Sequence, residues 1–329
     1  MPIDWTNPLP SLWSKENAEV PGKGDRAMRV ALIHNPKAGD EGQPDGEDLL
    51  ELIRAAGHEA TAHSSKDDYL AALLEEAPDL VAIAGGDGTV AKVVKIMLGR
   101  DIPLAALPIG TANNISRTLG IADIALEKQI HGWSAWHSVA FNVGLARGPW
   151  GASHFLEAVG AGLLAWSIPK AESSAMLAQI DNVPKKIAYA RKMLEDRLKS
   201  FPAVAFTATL DGKDISGEYL LIEAMNTRLV GPNLELAPES DPGDGILDIV
   251  VIPESKRDEL RAHLARGKAG RQHPPKLPTH RGRELVIEWS GCDLHFDDDV
   301  WPGDQPVASE SKTIDVKLEE QSVQFLTPP

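Results

Sequence analysis

The feature that most constrains the fold is an apolar run that ends in three glycines, an aspartate and a hydroxyl residue. Residues 80–84 form the run, and Gly85-Gly86-Asp87-Gly88-Thr89 follows it directly. Its length and composition predict a buried strand that passes into a helix. Glycines there let backbone amides approach a bulky anion, and the helix would direct its positive end at the same point. A plain turn with a capping aspartate would explain only one or two of the five residues.

Asp87 limits which anion this loop could hold. A carboxylate repels a bare phosphate unless a cation or a water network stands between them. The segment therefore indicates nucleotide phosphates accompanied by Mg²⁺. It is neither a Walker A loop nor a dinucleotide-binding fingerprint, because the glycine spacing differs and no Gly-Lys-Ser/Thr follows.

Length, charge and cysteine content limit the class of protein. A chain of 329 residues makes two domains the default expectation. The net charge of −15 argues against a general nucleic-acid binder. Cys292 can make no internal disulfide, and residues 1–27 contain no apolar segment typical of a signal peptide. We therefore expect a cytoplasmic protein with no nucleic-acid partner.

The pattern of apolar runs changes near His131. Before that point strands alternate with amphipathic helices, which predicts an α/β domain built on a parallel sheet. After it strand-like runs dominate, with Asp211-Gly212 as a hairpin turn, which predicts a mainly antiparallel β domain. We expect an N-terminal tail (1–27), a nucleotide-binding domain (28–135) and a β-rich domain (136–329) whose extreme C-terminus could return to the first.

Individual elements can be placed from the same periodicity. In the first half, strands are predicted at 28–34, 80–84 and 104–107, and helices at 48–56, 67–76 and 90–98. In the second half, a helix is predicted at 185–199, and strands at 139–144, 203–210, 218–226, 246–252, 284–289 and 313–318.

Two further loops follow predicted strands. Asn35-Pro36-Lys37-Ala38-Gly39 follows the first strand and is a weak signal by itself. Gly110-Thr111-Ala112-Asn113 follows the strand at 104–107; its glycine allows close backbone approach, and its threonine and asparagine offer neutral hydrogen-bonding groups. Taken alone, this loop is better explained as a capped turn. Because parallel strands bind ligands at their carboxyl ends, we expect it to face the same crevice as Asp87.

These three loops, in this order and spacing, resemble the diacylglycerol kinase catalytic-domain family. That family includes bacterial lipid kinases, sphingosine kinases and ceramide kinases, and is distantly related to NAD kinases and phosphofructokinases. The resemblance extends from about Met28 to the C-terminus and implies a phosphofructokinase- or NAD kinase-like first domain. Its second-half signature consists of Asn226, Gly231-Pro232-Asn233, Ala237-Pro238 and Asp244-Gly245-Ile246-Leu247-Asp248.

The resemblance implies roles for individual residues. ATP binding would involve Asn35, Gly85, Gly86, Asp87, Gly88, Thr89, Gly110, Thr111 and Asn113. Asp87 would also organise Mg²⁺, and Asp68 matches a further acid of the metal network on a loose alignment. A second, structural Mg²⁺ would be held by Asp241, Asp244 and Ile246, although a plain turn at Asp244-Gly245 is an equal alternative.

The chain departs from the family pattern at two positions. Asn114 stands where the family usually has aspartate, and an amide brings no negative charge to a metal site. The family's late Asp-Gly-Glu motif matches Asp297-Asp298-Asp299, which places Asp299 at the position of the catalytic base. Aspartate can act as a base but is one methylene shorter than glutamate. The alternative is a solvated acidic loop in a chain that no longer catalyses.

The function expected from this resemblance is an ATP- and Mg²⁺-dependent lipid kinase, with Asp299 as base and Asp87 beside the phosphates. Its substrate would be a lipid hydroxyl of the diacylglycerol type. The alternatives are a nucleotide-binding pseudokinase with a regulatory role, and a kinase of a soluble small molecule such as NAD. A homodimer is left open.

Three other segments have a functional and a structural explanation. The basic stretch from Lys256 to Arg283 suits transient contact with an anionic membrane surface, but a solvated helix and loop explains it better. The apolar residues at 155–166 could line a groove for an acyl chain or belong to the core. His34 and His295 have no evident partner and no metal-ligand spacing.

Overall fold

The computed structural model describes residues 27–38, 42–67, 70–73, 77–265, 276–289, 291–303 and 313–329. The predicted tail therefore lies outside the described residues except for Ala27, and so does Asp68. Residues 266–275, in the middle of the basic stretch, are likewise not described, and membrane contact there stays a prediction. Among the described residues, no helix combines the length and the apolar character needed to cross a membrane.

Four parallel strands form the first sheet, in the order β2-β1-β3-β4. Their bounds are β1 Arg29–His34, β2 Glu59–Ser64, β3 Leu80–Gly85 and β4 Leu104–Pro108. Every residue of β3 is buried, as expected for a central strand covered on both faces. The predicted α/β architecture is confirmed.

Helices connect these strands and cover the sheet. They are α1 Gly46–Ala55, α2 Leu70–Leu73, α3 Asp87–Met97, α4 Asn114–Thr118 and α5 Leu126–Gly132. The start of α1 is set by a capping box, in which Asp45 accepts from the backbone N–H of Asp48 and Asp48 accepts from that of Asp45. Gly57, with φ of 90°, follows the end of the helix as predicted.

The second half of the chain consists mainly of antiparallel strands. They are β5 His137–Gly148, β6 Gly151–Phe155, β7 Ala158–Gly162, β8 Val204–Leu210, β9 Lys213–Asp214, β10 Gly217–Met225, β11 Leu229–Val230, β12 Leu234–Glu235, β13 Leu247–Pro253, β14 Thr279–Gly282, β15 Glu284–Glu288, β16 Leu294–Phe296, β17 Asp299–Trp301 and β18 Thr313–Thr327. Asp211 and Gly212 both have positive φ and join β8 to β9 in the predicted hairpin.

Helices of this half lie together on one side of the antiparallel sheet. They are α6 Leu163–Glu172, α7 Ala175–Ala178, α8 Val183–Leu198 and α9 Arg257–Ala265. A hydrophobic cluster joins α6, α8 and α9 to strands β10 and β13. Asn182 caps α8 by accepting from the backbone N–H of Lys185.

Strand β18 joins the two sheets. It runs parallel to β4, with Phe325 opposite Leu104, and antiparallel to β5 along most of its length. Its first residues pair with β15, within the antiparallel half. The ring of Phe325 packs edge-on against Phe141 of β5, with centroids 5.3 Å apart. One strand thus lies in both cores.

One strand of the first sheet has no counterpart in the sequence predictions. Strand β2 is not predicted, because this edge strand is largely polar and only partly covered. The apolar stretch 155–166 spans three elements: Phe155 ends β6, Ala158–Gly162 is β7 and Leu163 begins α6. Gly162, with φ of 98°, makes the turn from β7 into that helix.

Phe325→Ala is expected to lower the free energy of unfolding by about 3–5 kcal/mol, since it opens a cavity where β18 joins the parallel strands. Urea denaturation followed by far-ultraviolet circular dichroism measures this change. Met176→Ala is the control, because 59% of that side chain is exposed, and it should change stability by less than about 0.5 kcal/mol. Equal small effects for both variants would contradict the role of β18.

Candidate active site

The loops after β3 and β4 meet backbone to backbone. A Cβ atom on Gly110 would lie 2.3 Å from the Cα of Gly86, and one on Gly85 would lie 2.5 Å from the Cβ of Thr89. Real side chains do not approach so closely, so both positions require glycine. The two loops therefore present bare backbone at one edge of the parallel sheet, as the sequence predicted.

Side chains brace these loops. Asn35, after β1, donates from its side-chain amide to the hydroxyl of Thr89 at 3.0 Å. Asn113 adopts a left-handed φ of 52°, and its side chain bonds both the N–H and the C=O of Gly110 at 3.0 and 2.9 Å. Thr111 faces the neighbouring cavity. The predicted residues of all three loops are thus gathered at one edge.

The carboxylate of Asp87 lies at the beginning of α4. It accepts backbone N–H bonds from Asn114 at 3.0 Å and Ile115 at 2.9 Å. Burial raises the pKa of Asp87 to about 6; the two backbone N–H groups oppose this shift, and the charges of Asp298 and Asp297 add to it. Asp87 is the first residue of α3 and therefore connects the N-termini of α3 and α4. It also lies near the carboxylates of Asp297 and Asp298.

Asn114, the first departure from the family pattern, is paired with a carboxylate. Its side-chain N–H groups donate to Oε2 of Glu157 and to the carbonyl oxygen of Gly231, both at 2.9 Å. Its Oδ1 accepts from the side chain of Asn233 at 2.8 Å. Burial, followed by the charge of Asp87, raises the pKa of Glu157 well above its usual range. A carboxyl group absent at position 114 thus lies one hydrogen bond away.

A two-residue turn between β16 and β17 presents two more acids. Asp297 has a left-handed φ of 53°, and its carboxylate accepts backbone N–H bonds from Leu156 at 3.0 Å and Glu157 at 2.7 Å. These bonds fix the turn against the start of β7. Asp298, at the tip, lines the cavity and is open to solvent. Surrounding protein raises the pKa of Asp298, although the charge of His295 opposes the shift.

The structure does not bring Asp299, the predicted base, into this cavity. Asp299 is already the first residue of β17, pairs with Phe296 and is exposed. Among the described residues that line the cavity are Asp297 and Asp298, but not Asp299. The reason is that the hairpin turn comprises residues 297 and 298, so its tip lies one residue earlier than the alignment placed it.

Mg²⁺ has a suitable donor set here if it arrives with phosphates. Within the described part of the chain, no group of three or more His, Cys, Asp or Glu is placed to hold a metal ion unaided. Mg²⁺ is, however, commonly bound by one or two carboxylates together with substrate phosphates. Burial raises the pKa of both Asp87 and Glu157, and the charge of Asp87 adds to the shift at Glu157, a repulsion that a divalent cation would relieve. Their hard oxygen donors fit that ion.

A buried ion pair lies directly beneath the acidic turn. Nε2 of His295 and Oε2 of Glu223 are 2.7 Å apart, and the side chains are 1% and 0% exposed. The other ring nitrogen donates to the carbonyl oxygen of Asp297 at 2.9 Å. Burial alone lowers the pKa of His295, but the charge and hydrogen bond of Glu223 outweigh it and raise the pKa to about 9. The expectation that His295 has no partner was wrong.

Gly160 makes room for this pair. A Cβ at Gly160 would lie 1.9 Å from Oε2 of Glu223, so only glycine fits on β7 beside it. Glu223 and Glu157 were missed by sequence reasoning because both occur in apolar runs that are typical of plain strands. A charged residue inside such a run was the one signal that could have identified them.

A cavity of about 470 Å³ opens from the acidic turn. Its polar end includes Thr111, Asp297 and Asp298. Its other walls are mostly apolar and come largely from α6, α7 and α8, where Ser167 and Lys186 are the polar exceptions. The apolar side chains are those of Leu164, Ile168, Leu177, Ile187, Met193 and Leu194. This size is typical of a site for a small molecule.

The loop predicted to hold a second Mg²⁺ is engaged with an arginine instead. Asp244 accepts from the backbone N–H of Ile246 at 2.9 Å and from the guanidinium of Arg281. Asp241 accepts from the backbone N–H of Gly243 at 2.8 Å. A carboxylate already bound to a cation is a poor ligand for a second one. The Asp244 carboxylate is thus already engaged by Arg281, and the predicted second Mg²⁺ site stays a prediction.

Comparison with known proteins gives consistent results. A family model described as "Diacylglycerol kinase catalytic domain" matches residues 29–145, and one described as "YegS C-terminal NAD kinase beta sandwich-like domain" matches residues 168–315. A diacylglycerol kinase of Bacillus subtilis is 30% identical over 247 residues, covering 70% of this chain and 76% of the relative. One from Mycobacterium tuberculosis is 26% identical over 260 residues, covering 77% and 79% respectively.

Solved structures agree in fold. A crystal structure of a diacylglycerol kinase from Bacillus anthracis superposes with a TM-score of 0.64 at 22% identity, covering 92% of this chain and 97% of the other. A parallel α/β part followed by an antiparallel β part is thus the fold that this chain shares with that structure. The chain belongs to the diacylglycerol kinase catalytic-domain family. Membership supports a phosphotransferase that uses a nucleotide.

The buried ion pair generates a stability prediction. His295→Phe should lower the free energy of unfolding by about 3–5 kcal/mol, because Glu223 is left buried without its cation. Adding Glu223→Met, which is unbranched like glutamate, should recover much of that loss. His154→Phe is the matched control: His154 and Glu319 are also 2.7 Å apart but about 30% exposed, so the cost should stay below about 1 kcal/mol.

The same ion pair predicts how the stability of the protein changes with pH. A folded pKa of about 9, above the ordinary 6.5, means that the stabilisation is complete below pH 6.5 and is lost as pH rises towards 9. The free energy of unfolding in urea should therefore fall between pH 6.5 and pH 9 in wild-type protein. The fall should be smaller in the variant that carries both His295→Phe and Glu223→Met. An equal decline in both would contradict the assignment.

Proposed function

We propose that this chain is a lipid kinase that transfers the terminal phosphoryl group of ATP, with Mg²⁺, to the hydroxyl of a diacylglycerol-like acceptor. The observation that carries the proposal is the cavity: its walls are mostly apolar, and its polar end lies at Asp298 and Thr111. A soluble acceptor such as NAD or a sugar phosphate would call for polar groups along the walls. An acyl chain between α6 and α8 would instead direct its head group towards the acids.

The nucleotide side of the cleft is the glycine cradle. The bare backbone at Gly85, Gly86 and Gly110 and the N-terminus of α3 would hold the phosphates, with Asn35 and Thr89 maintaining the loop. Mg²⁺ bound with the phosphates would neutralise charge as the phosphoryl group moves. Asp87 and Glu157 would hold that ion, with Asn114 orienting Glu157. Glu157 thereby supplies the charge that Asn114 lacks.

The acceptor hydroxyl would lose its proton to Asp298. A new bond forms from the acceptor oxygen to the γ-phosphorus, the bond from that phosphorus to the β-phosphate oxygen breaks, and ADP leaves. Burial raises the pKa of Asp298, and the charge of Asp299 adds to the shift. Asp298 is therefore a stronger base than an ordinary carboxylate. Asp297 would hold the turn, and most of the rate enhancement would come from positioning.

The acceptor class is tested by measuring ADP formation with ATP and Mg²⁺. Dispersed diacylglycerol, monoacylglycerol, ceramide and sphingosine are compared with glycerol and NAD, and only acceptors with an acyl or alkyl chain should give turnover. Ala190→Trp, which fills the cavity from α8, should lower kcat/KM for the lipid about tenfold or more. Ala188→Trp is the matched control, because Ala188 is exposed on the same helix.

Turnover with NAD or glycerol would contradict the lipid assignment. ATP binding by calorimetry, with no acceptor giving ADP, would instead favour a nucleotide-binding regulatory protein. Binding of ATP should be equal in both tryptophan variants, which separates loss of the acceptor site from loss of the fold.

Asp298 and Asp299 are separate candidates for the base and can be distinguished. Asp298→Asn should lower kcat by about 10²–10⁴-fold, because the amide cannot accept the acceptor's proton. Asp299→Asn should leave kcat within about threefold, since that residue does not line the cavity. The reverse order of effects, in single-turnover assays at saturating ATP, would return the role to Asp299 as the family alignment implies.

A further inference from the structure

The loop from Asp241 to Asp248 carries three carboxylates and connects to the cleft. Asp248 is almost fully buried, with only 2% of the residue exposed, and Asp241 and Asp244 are partly buried. Burial raises the pKa of Asp248 and of Asp241, and Asp244 adds to both shifts through its charge. Three carboxylates within eight residues concentrate negative charge, which a nearby cation would offset.

Strand pairing delivers that cation. In the antiparallel pair β13–β14, Asp248 lies directly opposite Arg281. Nε of Arg281 is 3.4 Å from Oδ1 of Asp248, while the end of its guanidinium hydrogen-bonds Oδ2 of Asp244. One planar guanidinium therefore contacts two of the three carboxylates, which suits its forked geometry. Its charge also opposes the rise in the pKa of Asp241.

Backbone hydrogen bonds within the loop hold the carboxylates of Asp244 and Asp241 in place. The other oxygen of Asp244 accepts from the backbone N–H of Ile246, and Oδ1 of Asp241 accepts from that of Gly243. Mg²⁺ requires near-octahedral oxygen ligands at about 2.0–2.1 Å and sheds its water reluctantly. A guanidinium on the central carboxylate takes up a ligand position and repels a dication.

We propose that Arg281 takes the place of a divalent cation in this loop. The guanidinium of the chain itself then holds the loop in its conformation. The inference stands independently of the reaction that the cleft performs. Its consequence is that a divalent ion bound by this protein belongs to the nucleotide and not to the fold.

Hydrogen bonds connect the loop to the cleft. The backbone N–H of Asn142 donates to the carbonyl oxygen of Pro242 at 2.6 Å, and its Oδ1 accepts from Gly245 at 3.0 Å. Asn226 then bonds the carbonyl oxygens of both Asn142 and Leu156, at 2.9 and 2.8 Å. Leu156 directly precedes Glu157 in the cleft. By holding the loop, Arg281 therefore also supports this part of the cleft without a metal ion.

The first test titrates nucleotide-free, metal-stripped protein with Mn²⁺, whose paramagnetism reports free and bound ion. Wild-type protein and Asp244→Asn should bind Mn²⁺ equally, because Arg281 already occupies the loop. A wild-type site that disappears in Asp244→Asn would overturn the proposal. This comparison does not depend on removing the arginine and is valid even if an Arg281 variant fails to fold.

The second test removes the arginine. Arg281→Ala should melt at least about 3 °C below wild type in EDTA and recover when Mg²⁺ is added, since the carboxylates are then free to bind it. Wild type and Arg283→Ala, an exposed arginine two residues along, should melt at the same temperature with EDTA and with Mg²⁺. Unchanged melting of Arg281→Ala in EDTA, or the absence of any Mg²⁺-dependent recovery, would overturn the proposal.

Discussion

The confinement of several carboxylates to one cleft is the constraint on which the site depends. Burial raises the pKa of Asp87 and of Glu157, and the charges of Asp297 and Asp298 add to both shifts, so the folded chain holds these acids together against repulsion. The structure offsets this cost locally. Helix α4 donates two backbone N–H groups to Asp87, the start of β7 donates to Asp297, and an imidazolium lies beneath the turn. The remaining negative charge lies beside the glycine loops, where a nucleotide with its metal ion would neutralise it.

The same problem is solved differently a short distance away. In the Asp241–Asp248 loop the compensating cation is a side chain, delivered by the pairing of β13 with β14. An internal cation is permanent, whereas a cation that arrives with a substrate is present only when the substrate is. The two acidic regions thus separate a structural charge balance from a functional one, and hydrogen bonds through Asn142 and Asn226 connect them.

Much of the scaffold could be predicted from the sequence because its signals are local. Apolar runs of strand length identified β1, β3 and β4, and glycines after β3 and β4 identified the two loops that meet at Gly86 and Gly110. Strand β2 was missed because an edge strand buries too little to leave an apolar run. The length of β18 was underestimated, since residues 319–327 gain strand structure from pairing with β4 and β5.

The sequence by itself determined the α/β and β-rich halves, the glycine loops that end two parallel strands, and the set of acids in the chain. Only the tertiary structure decided which acids face the cleft. It brought Glu157 to Asn114, put Asp298 rather than Asp299 at the tip of the turn, paired His295 with Glu223, and set Arg281 where a metal was expected. The physical reason is that charge pairing and side-chain direction follow from strand register and turn length, which join residues far apart in the chain.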